Sequence, residues 1–142
     1  MITIAQFVAI SCYIGAAAVA AAPFARPVRA PLGWVVGLLV AGAGTHALGL
    51  AAAVSVAGQL PVTGLGPALS FGALALVTTL IGVEVLAKES TLTVLAAPTA
   101  ALATVVANVM GLRPVLGTNG IRGIWLEAHI TLSLIGLAGL AT

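Results

Sequence analysis

The chain has 142 residues, of which 61% are hydrophobic and 6% charged, with a net charge of +2. A soluble domain carries roughly 25% charged residues, so this chain cannot clothe a water-facing surface and reads as an integral membrane protein. Its five basic residues are too few for a nucleic-acid footprint, and its one cysteine, Cys12, excludes an internal disulfide and a CxxC metal or redox motif.

Crossing a hydrocarbon core of about 30 Å takes roughly 20 mostly apolar residues. Five segments meet that length, at about 3–24, 33–57, 68–87, 91–111 and 124–142. The expected architecture is all-α, a single polytopic transmembrane helix bundle over residues 1–142. Strands are excluded because barrel spans alternate apolar and polar residues, whereas these runs are apolar all round.

The first segment, "MITIAQFVAISCYIGAAAVAAAPF", has no Lys or Arg ahead of its apolar run, so it reads as a span rather than a cleaved leader. Cys12 packs there as a small apolar residue. "ARPVRAP" separates it from the second segment, since two prolines cannot continue a helix. "GQLPVTGLGP" and "GLRPVLGTNGIRG" break the chain before the third and fifth segments, and "KES" alone joins the third to the fourth.

Arg26, Arg29 and Lys88 fall in loops on one side, and Arg113 and Arg122 on the other. The positive-inside rule then puts the N-terminus outside and "ARPVRAP" in the cytoplasm. Trp34 and Trp125 stand at span ends, where indole rings anchor. The fifth run stays apolar to Thr142, which leads us to expect a partner covering its last turn or a longer chain. Ala and Gly crowd "IGAAAVAAA" and "VGLLVAGAG", as suits closely approaching membrane helices.

Two histidines interrupt these runs. His46 lies about 14 residues into the second segment, ~21 Å from its cytoplasmic end, and His129 sits ~8 Å below the opposite surface in the fifth. In a ~30 Å core the two come to one depth. Intramembrane ionisable side chains face the bundle interior, and neutral imidazole is a common metal ligand. Two imidazoles at one depth could serve as axial ligands to a haem iron; alternatively, each bonds a neighbouring carbonyl or hydroxyl.

Other polar residues have local readings. Glu84 and Lys88 are spaced i,i+4 in the favourable order and read as an ion-pair anchor. Ser70, Thr78, Thr79 and Ser133 are expected to bond back to their own helix carbonyls. Pro98 is expected to kink the fourth span. Asn108 reads as a helix–helix or loop contact and Glu127 as an interface marker. No nucleophile–base pair, phosphate loop or carboxylate dyad is visible, so no enzyme is expected.

Several stretches together carry a likeness: "THALGL", "LPVTGLGPALSFGALALVTTLIG", "LAAPTAALAT" and "IWLEAHITLSLIGLAG". They resemble the cytochrome c assembly family, in its small HemX-like and CcsA-like branch. The resemblance implies a bacterial inner-membrane protein that binds or presents haem (heme), with His46 and His129 as the matching cofactor and iron ligands. The tryptophan-rich external motif of that family is absent. The other expectation is a structural accessory subunit, without a cofactor of its own, among membrane lipid and other membrane subunits.

Overall fold

The computed structural model describes residues 4–26, 31–57 and 64–111, together with Ser133 and Gly136. Among them stand four α-helices and no strand: α1 (Ile4–Ala25), α2 (Leu32–Ala57), α3 (Leu65–Ala87) and α4 (Thr93–Met110). All four are long and apolar enough to cross a membrane. At 1.5 Å per residue, even the 18 residues of α4 reach about 27 Å. The fifth expected segment lies outside the described residues.

Boundaries differ slightly from the sequence expectation. α3 starts at Leu65 rather than near 68, because Pro67 falls in its first turn, where a missing N–H costs no intrahelical bond. α4 spans 93–110 rather than 91–111, with Thr91 and Leu92 forming a turn ahead of it. Lys88 closes α3 in the left-handed region at φ 57°. Pro98 sits inside α4 without interrupting it, its ring on the exposed side.

The helices form a ring in which α1 packs on α2, α2 on α3, α3 on α4, and α4 back on α1. The α2–α3 seam is the most sparsely packed of the four. Each helix buries one row at alternating spacings of three and four. The rows are Gln6, Ala9, Tyr13, Ala16 and Ala20; Val35, Leu39, Gly42, His46 and Gly49; Gly66, Ser70, Ala73, Val77, Leu80 and Glu84; and Thr93, Ala97, Ala100, Thr104 and Ala107. A mean spacing of 3.5 is the repeat of left-handed helix packing near +20°, so all four rows can stay in the bundle along their whole length.

The rows also show what this interior is made of. Large apolar side chains such as Phe7, Phe24, Trp34, Leu86, Leu95 and Val109 point outward. Polar and small residues point inward, where close backbone approach and hydrogen bonding drive association that apolar area alone cannot drive in lipid.

Two contacts set the helix registers. On α2, a Cβ at Gly42 would stand 2.6 Å from Tyr13 Cε1, and one at Gly49 would stand 3.0 Å from Gln6 Nε2. Gln6 and Tyr13 are seven residues apart on α1, as are the two glycines on α2, so they mesh antiparallel. In the second hairpin, a Cβ at Gly66 would collide with the Gly111 carbonyl oxygen. No side chain fits there.

Candidate functional site

The antiparallel ring brings Tyr13, His46 and Ser70 to one level. His46 is fully buried. Its Nδ1 lies 3.1 Å from the Tyr13 hydroxyl and its Nε2 lies 2.9 Å from Ser70 Oγ. Ser70 and Tyr13 are themselves fully buried. Both rings sit in the α1–α2 seam with centroids 6.0 Å apart and planes tilted by 49°. Gly42, one turn before His46, leaves the space that the Tyr13 ring fills.

The network has a simple proton arithmetic. Neutral imidazole carries one N–H donor and one lone pair, and each hydroxyl can donate or accept. If Tyr13 donates to Nδ1, then Nε2–H donates to Ser70 Oγ; if Ser70 donates to Nε2, then Nδ1–H donates to the Tyr13 oxygen. The three side chains therefore form one polarised chain with two possible directions. It ties α1, α2 and α3 together through a single residue of α2.

Ser70 departs from the sequence expectation. Thr45, Thr78, Thr79, Thr99 and Thr104 bond back to carbonyls of their own helices, as do Ser11 and Ser55. Ser70 bonds the imidazole instead, because it lies on the buried row of α3 at the level of His46. Asn108 moves the other way: its Nδ2 donates to the Thr104 carbonyl of its own helix at 2.8 Å, rather than to another helix or a loop.

Glu84 is the second correction. It makes no ion pair with Lys88, since the left-handed turn at Lys88 leaves that side chain exposed while Glu84 is buried. Its Oε1 accepts from the backbone N–H of Thr93 at 2.9 Å and from the Thr93 hydroxyl at 2.6 Å. Glu84 thereby clasps the start of α4 to the end of α3, serving a free amide of the helix N-terminus. Its burial could have been anticipated, because it falls on the same 3.5-residue row as Ser70 and Val77.

His129, the expected second ligand, lies outside the described residues. So do Glu127 and Trp125. Haem ligation through His46 would need one imidazole nitrogen for the iron, and both are engaged within the bundle. Among the described residues, no group of three or more His, Cys, Asp or Glu gathers to hold a metal ion. As folded here, His46 does not offer a haem iron a free lone pair. Comparison of the chain with family models, with curated proteins and with solved structures found no match.

Proposed function

We propose that this chain is a multi-pass, non-catalytic membrane subunit whose role is architectural, set among membrane lipid and other membrane protein subunits. The observation that carries the reading is the double engagement of His46. An imidazole poised for chemistry keeps one nitrogen for a ligand or a substrate, whereas this one spends both on hydroxyls of neighbouring helices. Such a residue fixes helix positions. Intramembrane polar groups of this kind act as interhelical glue, worth about 0.6 kcal/mol each and up to ~1.7.

The bacterial inner membrane is the host that the sequence resemblance suggests. Arg26 and Lys88 at one end of the ring support a cytoplasmic placement of that end. Haem handling remains the rival reading. It rests on the resemblance and on the pair His46 and His129, and it requires His46 to release Tyr13 or Ser70.

One measurement separates them. The purified chain should show no Soret absorbance, and His46→Ala should lower its thermal stability in detergent or nanodiscs. A Soret band in the wild type that disappears in His46→Ala would overturn the architectural reading in favour of haem.

A further inference from the structure

A different buried group is left incompletely served. Glu84 is 1% exposed, and its two carboxylate oxygens have opposite surroundings. Oε1 receives both Thr93 donors, while Oε2 is buried without any hydrogen-bond partner among the described residues. The start of α4 offers roughly half a unit of positive charge to this carboxylate, which offsets only about half of its own. No ion pair supplies the rest among the described residues, and Arg26, Lys88 and Glu89 at the same end are all exposed. A buried charge without compensation is costly, so nature pairs it or neutralises it.

We propose that Glu84 Oε2 is the binding point of one small monovalent cation, a proton or an alkali-metal ion, which completes the neutralisation of this carboxylate inside the bundle. The asymmetry of the contacts gives the geometry. With a proton on Oε2, Oε1 remains the carbonyl-type oxygen that accepts both Thr93 bonds. With an alkali ion, the ion sits on the bare oxygen and the Thr93 bonds are again unchanged. A multivalent metal is disfavoured, because Glu84 has no second carboxylate, thiol or imidazole gathered beside it among the described residues. The site is separate from the Tyr13–His46–Ser70 chain and does not depend on the architectural reading.

The chain has only three acidic residues, Glu84, Glu89 and Glu127, which makes a direct test possible. In the Glu89→Gln, Glu127→Gln variant carrying 13C-labelled glutamate, every labelled carboxyl signal comes from an unaltered Glu84. Infrared spectra of this protein in nanodiscs should show one of two patterns. A carboxylic-acid C=O stretch that moves down in D2O identifies a proton. Carboxylate bands that move when Na+ is replaced by K+ or by N-methylglucamine identify an alkali ion. Carboxylate bands that respond to neither exchange would overturn the proposal. Because Glu84 itself is untouched, a folding defect of Glu84 variants does not enter the result.

Discussion

The Tyr13–His46–Ser70 chain and the Glu84–Thr93 clasp are two answers to one problem, a polar side chain in an apolar solvent. The first is uncharged, lies deep in the bundle, and spreads two bonds over three helices. The second carries a carboxylate, lies one turn from a helix end, and concentrates both bonds on one oxygen and one residue. The difference follows from depth and charge. Far from water every lone pair needs a protein partner, and neutral imidazole has one donor and one acceptor to match two hydroxyls. A carboxylate has only acceptors, so it gravitates to a helix N-terminus, where backbone amides lack intrahelical partners.

The comparison predicts that the central network is the costlier one to damage. His46→Ala removes a buried ring and strands two hydroxyls, so it should destabilise the bundle by about 3–5 kcal/mol in a reversible unfolding assay in detergent. The triple change Tyr13→Phe, His46→Leu, Ser70→Ala removes every partner at once, and it should recover much of that loss. If the triple variant is as unstable as His46→Ala, the network does more than satisfy its own polar groups.

At the clasp, Glu84→Ala should cost about 1–2 kcal/mol, the usual worth of a lost helix cap, while Glu84→Gln keeps an oxygen for Thr93 and should cost less. Equal losses in both variants would mean that charge, rather than the Thr93 bonds, holds α4 in place. Tyr13→Phe and Ser70→Ala each break one bond of the central chain. Each should cost ~0.6–1.7 kcal/mol, and the double variant should depart from additivity because His46 is shared. Strict additivity in that cycle would show that the two bonds are independent. The smallest effect concerns the turn beside the clasp. Lys88→Gly relieves a left-handed residue and should stabilise by roughly 0.5–1 kcal/mol in the same assay.

Helix number and extent over the described region were legible because length and apolarity alone report a span. The packed faces were hidden, since hydrophobicity has no useful period in helices that are apolar on every side. The period survives in another property: the rows containing Gln6, Tyr13, His46, Ser70, Glu84 and Thr93 are marked by polarity and small size, the reverse of a soluble helix. His46 stood out as the one ionisable group in its run. Its partners did not, because Ser70 and Tyr13 belong to other helices and neither residue type is rare in a span. Glu84 was misjudged because i,i+4 spacing describes an exposed helix surface, whereas Glu84 lies on the face turned inward.

The pair of glycines on α2 has a further consequence, for how the first hairpin finds its alignment. Lipid tails wet an apolar helix as well as another helix does, so sliding α1 along α2 by one heptad carries little hydrophobic penalty. What resists it is shape and polarity, read at two positions together. Shifted one heptad one way, Gln6 still meets a glycine at 42, but Tyr13 is driven onto Val35. Shifted the other way, Tyr13 finds the space at Gly49, while its hydroxyl moves about 10 Å from the level of His46. Only one alignment seats both side chains and closes the bond to the imidazole, so the hairpin works as a two-pin lock whose wrong settings each betray themselves at one pin.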